Sequence, residues 1–187
     1  MNSESNQAAF LFHQGTNFYS YNYLGCALTR NENNYIYTFR TWAPNASAVY
    51  LASDFIGWDC NLLPFYRVTH GVWECIFTSS CSLEGSAYKF VIESNGKRVY
   101  KGDPYARYSR GGADGSSLIF NESQHMWTDT AWMKHRKREV ISRDGYLSMP
   151  LNIYEVHLGS FNRKENGDYL SYRELADALV PYLKYMG

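Results

Sequence analysis

The chain has 187 residues, and its 18 basic and 18 acidic side chains cancel. This balance provides no global attraction to nucleic acid or to an anionic membrane, and no segment approaches the ~20 apolar residues of a membrane-spanning helix. Aromatic residues make up 17% of the chain. That content favours an all-β core, and it also suits a surface that stacks flat rings on sugars.

The cysteines and the start of the chain bear on its compartment. Cys26, Cys60, Cys75 and Cys81 form no C-x-x-C pair and have no zinc-site spacing. The first residues lack the basic region and apolar run of a signal peptide. We therefore expect a reduced, cytoplasmic protein without a metal.

Residues 1–34 are polar and rich in turn formers, so we interpret them as an N-terminal arm. Residues 35–121 contain strand signals at regular intervals, bounded by Gly, Asn, Asp and Pro. The predicted strands are 35–42, 47–53, 65–69, 72–78, 87–93, 98–101 and 117–120. Short strands at this spacing predict a mainly β fold, an immunoglobulin-like antiparallel β-sandwich of about 90 residues.

Two of these strands alternate clearly. Trp73, Cys75 and Phe77 share one face. In the strand 87–93, Tyr88, Phe90 and Ile92 oppose Lys89 and Glu93. A two-residue Asn-Gly turn at 95–96 predicts a hairpin into the next strand. We expect Trp42 and Trp73 to lie in the core or against another domain.

Residues 122–150 are interpreted as a connector. The basic run from Met133 to Arg138 invites a nucleic-acid signal. The alternative is the solvated face of a helix that follows Trp127 and Trp132. We favour the helix.

Residues 151–161 (LNIYEVHLGSF) predict a strand buried on both faces, and residues 171–187 predict the helix that follows it. Ser171 is the expected N-cap and Glu174 its capping-box partner. Leu175, Leu179 and Leu183 form an apolar stripe. One parallel strand and one crossover helix require neighbouring strands. The segment 151–187 is therefore expected to be the truncated start of a larger fold.

Several motifs occur in order: FRTWAPNA (39–46), DFIGW (54–58), GVWE (71–74), YKF (88–90) and KGDPYA (101–106). With YEVHLGSF (154–161) and SYRELADALVPYLKYMG (171–187) they resemble bacterial glycogen branching enzymes. The resemblance implies a starch-binding-type β-sandwich over 35–121. It also implies that 151–187 is the first strand and helix of an incomplete catalytic (β/α)8 barrel. Related debranching and trehalose-releasing hydrolases share parts of this pattern.

The resemblance implies a retaining transfer of an α-1,4-glucan segment to a glucan 6-hydroxyl, without an organic cofactor. Such chemistry needs two carboxyl groups about 5 Å apart, and by resemblance they lie beyond residue 187. No catalytic residue is therefore assigned, and the chain alone is expected to be inactive. Glu155 and His157 invite a general-base role. We favour a structural role, because no nucleophile or acid partner is visible nearby.

Glucan binding is the activity that the resemblance leaves to this chain. Trp58 matches a sugar-stacking tryptophan of glycogen-binding modules, and Lys89 matches a hydrogen-bonding lysine there. Tyr100 is the available candidate for a second stacking ring. The alternatives are that Trp58 packs on the barrel or on an edge of the sandwich and that Lys89 is an ordinary exposed lysine. The implied partner is an α-1,4-glucan such as glycogen, together with the remainder of the barrel.

Two further functions stay open from the sequence. The chain could be a stand-alone glucan-binding or regulatory module. It could also be a non-functional remnant that aggregates through its exposed leucine stripe.

Overall fold

The computed structural model describes residues 3–121, 126–142 and 152–186. The chain divides into two compact units, residues 1–126 and 127–187. The described part of the first unit contains one helix and the strands given below, and that of the second contains the other three helices. The helices are α1 (Ser3–His13), α2 (Thr130–Ser142), α3 (Leu158–Phe161) and α4 (Tyr172–Met186).

Among the described residues of the first unit, nine strands form two antiparallel sheets. They are β1 (Gly25–Arg30), β2 (Tyr35–Trp42), β3 (Ala48–Ser53), β4 (Tyr66–Thr69), β5 (Val72–Ser79), β6 (Ala87–Ser94), β7 (Lys97–Lys101), β8 (Tyr108–Ser109) and β9 (Ser117–Leu118). Sheet A has the order β1-β2-β5-β4. Sheet B has the order β3-β6-β9-β8, and β7 also pairs with β6. The predicted mainly β, antiparallel architecture is confirmed.

The main core lies between the inner faces of the two sheets. Tyr37 and Phe39 of sheet A meet Leu51, Tyr88 and Phe90 of sheet B, and all five are almost fully buried. The Phe39 and Tyr88 rings meet edge-on with centroids 5.2 Å apart, an arrangement that aromatic quadrupoles favour. The period-two alternation of the sequence therefore assigned the inward faces of β5 and β6 correctly.

The two tryptophans expected in the core or against another domain have different environments. Trp73 is buried, and its indole N–H donates to the Ala43 carbonyl at 2.9 Å. Trp42 lies at the end of β2 and is half exposed, with its ring edge-on to Phe12. Trp42 is therefore not a core residue of this unit.

The N-terminal arm requires a correction. β1 pairs along its whole length with β2, from Gly25 opposite Arg40 to Arg30 opposite Tyr35. The sandwich thus begins before residue 35. Because β1 is an edge strand with mostly half-exposed or exposed residues, it lacks the apolar alternation that marks buried strands. Helix α1 was also not predicted, since its short sequence has no marked apolar face.

The connector contains helix α2, and residues 130–138 of this helix are exposed. The basic run therefore lies on a solvated helix, as expected. The rest of the connector, residues 122–125 and 143–150, lies outside the described residues, as does Leu151.

The strand predicted at 151–161 is wrong for the described residues. Residues 152–157 form no strand, and Leu158–Phe161 forms the short helix α3. A strand is stabilised by hydrogen bonds to neighbouring strands, and no strand among the described residues pairs with this segment. The first strand of a barrel is therefore not formed here.

Helix α4 forms as predicted. The Ser171 amide donates to the Glu174 carboxylate at 2.7 Å, and the Glu174 amide donates to the Ser171 hydroxyl at 3.3 Å. These two bonds are the reciprocal pair of a capping box. Leu175 is buried and Leu179 half-buried, whereas Leu183 is exposed. Among the described residues, no helix is long and apolar enough to cross a membrane.

Candidate carbohydrate-binding site

A small apolar platform lies on the outer face of sheet B. Ala52, Cys60 and Val91 form a buried cluster, and Tyr50 and Trp58 pack against it. Ala52 is paired across the strands with Lys89, and Val91 is paired with Tyr100. Because residues two apart on a strand share a face, Lys89 and Val91 point to the same side. The fold therefore brings the three residues singled out in the sequence around one platform.

Trp58 is held by the turn that follows β3. Its φ is +63°, a region that bulky residues rarely adopt. The backbone N–H of Trp58 donates to the Ser53 carbonyl at 2.9 Å, and the indole N–H donates to Asp54 Oδ1 at 2.9 Å. These bonds fix the half-buried ring beside the platform. A strained backbone of this kind costs about 1–3 kcal/mol and is often found at binding sites.

Asp54 connects the Trp58 turn to the neighbouring segments. Its Oδ2 atom accepts the backbone N–H of Ala87 at 2.8 Å, at the start of β6. The Arg110 guanidinium reaches the same oxygen at 3.4 Å. One carboxylate thus positions the indole, anchors β6 and attracts the loop that contains Arg110.

Lys89 extends from β6 toward the loop between β8 and β9. Its ammonium donates to the backbone carbonyl of Asp114 and forms an ion pair with the Asp114 carboxylate at 3.3 Å. The Lys89 side chain retains only 19% of its accessible surface. Lys89 is therefore not an ordinary solvated lysine, and a ligand hydroxyl that reaches it would compete with Asp114.

Tyr100 lies on β7 beside Cys60. Its hydroxyl donates to the Cys60 sulfur at 3.7 Å, and its ring is half exposed. This hydrogen bond to the Cys60 thiol raises the pKa of Tyr100, so the phenol is neutral at physiological pH. A half-exposed ring with a neutral hydroxyl offers one face for stacking and one group for hydrogen bonding.

The sequence analysis missed several residues of this surface. Arg98 lies 4.7 Å above the Tyr50 ring and donates to Glu93 at 2.9 Å and to Asn61 at 3.0 Å. Tyr50 lies between Val49 and Leu51 in β3, so the alternation of the strand could have predicted that its ring faces outward. The bond to Asn61 joins residues 37 positions apart, and no local pattern announces it.

The arrangement is suited to binding rather than to bond cleavage. Aromatic rings, a lysine, an arginine and amide groups can stack on a pyranose and exchange hydrogen bonds with its hydroxyls. Among the described residues, no group of three or more His, Cys, Asp or Glu could hold a metal. In the second unit, His157 Nδ1 lies 3.0 Å from the Ser160 hydroxyl.

A model of a known protein family matches much of the first unit. Residues 23–106 match the model of carbohydrate-binding module 48 (isoamylase N-terminal domain). This part of the chain, which contains strands β1 to β7 of the sandwich, is similar to that family.

The longer match is to the N-terminal regions of the branching enzymes called GlgB. The chain is 38% identical over 180 residues to the 1,4-alpha-glucan branching enzyme of Halothermothrix orenii, covering 95% of this chain and 28% of that enzyme. It is 39% identical over 181 residues to the enzyme of Protochlamydia amoebophila, covering 95% and 24%. The chain thus spans about a quarter of the length of these relatives.

Among solved structures, the pullulanase from Bacillus acidopullulyticus is similar to 52% of this chain. The match covers 12% of the pullulanase, with 25% identity and a TM-score of 0.40. This partial likeness carries no argument about function.

Proposed function

We propose that the chain is the glucan-binding N-terminal part of a cytoplasmic 1,4-α-glucan branching enzyme. The proposed ligand is an α-1,4-glucan, held on the outer face of sheet B by Trp58, Lys89 and Tyr100. The family match and the branching-enzyme relatives support the ligand class. The four cysteines are free thiols, which fits a reducing compartment.

One observation carries the binding proposal: Trp58 is fixed in a left-handed backbone conformation at the platform that Lys89 and Tyr100 border. Folding maintains this costly geometry through two hydrogen bonds, one from the backbone and one from the indole. A tryptophan that merely covered the platform could do so with a relaxed backbone. The strain supports a ring that is pre-positioned for a ligand.

In the proposed complex, the Trp58 ring stacks on the apolar face of one glucosyl unit, and Tyr100 contacts a neighbouring unit. Lys89 gives up one of its two contacts with Asp114 and donates a hydrogen bond to a sugar hydroxyl instead. Because the rings and polar groups are already held by the protein, little side-chain entropy is lost on binding.

The second unit is proposed to begin the catalytic barrel. In the complete fold, residues 151–161 would become a strand once neighbouring strands supply hydrogen-bond partners. The carboxyl groups that perform the transfer would come from other barrel strands, since active sites of such barrels draw on several strand ends. The remainder of the barrel is thus the proposed partner of this segment, and no organic cofactor is required.

Affinity electrophoresis in gels containing glycogen tests the binding proposal. We expect glycogen to retard the 187-residue chain and Trp58→Ala to lose most of this retardation. Trp132→Ala is the matched control, because Trp132 is an exposed tryptophan of the other unit. Retardation that is equal in Trp58→Ala and the wild type would exclude the proposed site. Branching of amylose reduces its staining by iodine, and we expect the chain alone to cause no such reduction. Robust branching would contradict the proposal that the catalytic carboxyl groups come from other strands of the barrel.

A stand-alone glucan-binding module is the second candidate. The observation that favours it is the sandwich's own core, which both sheets enclose within residues 1–126. Hydrogen exchange over residues 152–186 separates the two functions. Fast exchange at 152–157 in a monomer supports a barrel segment without its neighbours. Protection throughout the segment supports a self-sufficient module.

A further inference from the structure

A cavity of about 240 Å³ lies within the first unit, where strands β1 and β2 of sheet A and residues outside the strands line it. Its apolar lining includes Leu28 of β1, Tyr37 of β2 and Ile119, which follows β9. Tyr37 and Ile119 belong to the main core, and Leu28 packs against it. The base of the cavity is therefore rigid.

Aromatic and polar side chains complete the lining. Tyr21 and Phe120 line the cavity, and their side chains are 41% and 45% exposed. Asn22, Glu84 and Arg107 line it as well. The rim thus combines apolar ring surface with hydrogen-bond donors and acceptors, a composition that suits a polyhydroxylated ring better than a purely apolar ligand.

Arg107 is held in place before any ligand arrives. Its guanidinium donates to the Tyr21 carbonyl at 3.1 Å and to Asn22 Oδ1 at 3.4 Å, and it lies 4.8 Å from the centroid of the Tyr21 ring. A planar guanidinium fixed in this way loses little freedom on binding. Arg107 and Glu84 bring one charge of each sign to the lining.

The size of the cavity limits the ligand further. Pockets for drug-sized ligands have volumes of about 300–1,000 Å³, and this cavity lies below that range. It can accept one ring of a sugar chain and not several consecutive units. A cavity with room for one ring suits the terminal unit of a glucan chain better than a unit in the middle of the chain.

We propose that this cavity is a second carbohydrate site, which takes the terminal glucosyl ring of an α-glucan between Tyr21, Phe120, Glu84 and Arg107. The identity of the sugar rests on the proposed function, whereas the site itself rests on the cavity and its lining. The cavity shares no residue with the Trp58, Lys89 and Tyr100 surface. Two separate sites on one domain would increase the avidity for a branched particle with many chain ends.

Titration of the ¹⁵N-labelled 187-residue chain with maltose distinguishes the two sites. The indole N–H of Trp58 reports on the first site, and the side-chain amides of Asn22 and Asn121 report on the cavity. We expect both sets of signals to shift up to about 50 mM maltose, where a site with a millimolar Kd is nearly saturated. In Trp58→Ala, the amide signals should shift with an unchanged Kd.

Glu84→Ala provides the direct test, because Glu84 lies in an exposed turn and its replacement leaves the core intact. We expect the Kd from the amide signals to rise about tenfold, the loss of one charged hydrogen bond. Glu32→Ala, at another exposed turn glutamate, should leave this Kd unchanged. Amide signals that stay fixed in the wild type, or an unchanged Kd in Glu84→Ala, would overturn the cavity site. A fixed Trp58 indole signal with shifting amides would overturn only the first site.

Discussion

The two units of the chain differ in how they bury apolar side chains. In the sandwich, Tyr37, Phe39 and Leu51 have no accessible surface left. In the described part of the second unit, Leu175 is the one buried hydrophobic residue, whereas Ile153 and Tyr185 are 83% and 88% exposed. The sandwich thus contains its own core, and the second unit presents much of its apolar surface to solvent.

This difference shows which structures a sequence can form without neighbours. Helix α4 satisfies its backbone groups internally, and its first turn is closed by Ser171 and Glu174. Residues 152–157 have strand composition, but a strand needs hydrogen-bond partners on another segment. The helix forms because its hydrogen bonds are internal. The strand does not form because its hydrogen bonds would have to be made with other strands.

Truncating a core ring should produce the largest effect and sharpen the contrast between the units. Phe39→Ala removes a fully buried ring that contacts Tyr88 and should lower the free energy of unfolding by about 3–5 kcal/mol. Tyr185→Ala removes an exposed ring and should change it by less than about 0.5 kcal/mol. Urea denaturation followed by tryptophan fluorescence measures both. Comparable losses would mean that the second unit also contributes a packed core.

A pair of glycines gives the next largest effect. Gly71 and Gly167 both have a positive φ, +79° and +86°. A Cβ at Gly71 would lie 2.6 Å from Pro44 Cα, whereas a Cβ at Gly167 would meet nothing within 4 Å. Gly71→Ala should therefore add about 1–3 kcal/mol of overpacking to the ~1–2 kcal/mol of left-handed strain that both substitutions share.

Thermal unfolding by circular dichroism measures the stability of both glycine variants. Gly71→Ala should clearly lower the Tm of the sandwich. Gly167→Ala should cause a smaller decrease in the Tm of every unfolding transition that is observed. Equal shifts would show that the Pro44 segment moves away freely and that the sandwich is less tightly packed than its buried core indicates.

The sequence predicted those strands whose faces differ in polarity. β2, β5 and β6 alternate because one face contacts the core. β1 and β8 were missed because they show no such alternation. β7 also pairs only with β6, but the Asn-Gly turn at 95–96 indicated it. The strand prediction at 151–161 was wrong for a different reason. The apolar composition of this segment is that of a buried strand, but a strand also needs neighbouring strands to pair with, and composition does not reveal whether they are present.

The candidate site was predictable only in part. The alternation of β6 placed Lys89 on the outward face, and the resemblance singled out Trp58. The contacts of Asp54 with Ala87 and of Lys89 with Asp114 join residues 33 and 25 positions apart. Such contacts depend on how loops return to the sheet, and no local pattern encodes that path.

The capping box of α4 should give a smaller effect, confined to the second unit. Ser171→Ala removes the hydroxyl that accepts the Glu174 amide and should destabilise the helix by about 1 kcal/mol. Amide hydrogen exchange should accelerate in the first turns of α4 and stay unchanged in β2 and β5. Faster exchange in the sandwich as well would show that the two units unfold together.

The same cap should make α4 sensitive to acid. The hydrogen bond from the Ser171 amide, followed by the contact with Lys164, lowers the pKa of Glu174 from 4.5 to about 2. A lowered pKa means that this stabilisation is complete above the ordinary value of 4.5 and is lost as the pH falls toward 2. The ¹³Cα shifts of residues 172–176 should therefore move toward coil values between pH 5 and pH 2. Glu174→Gln cannot ionise at this position, so its shifts should lack that transition, and an identical transition in the variant would assign the acid sensitivity to another carboxyl group.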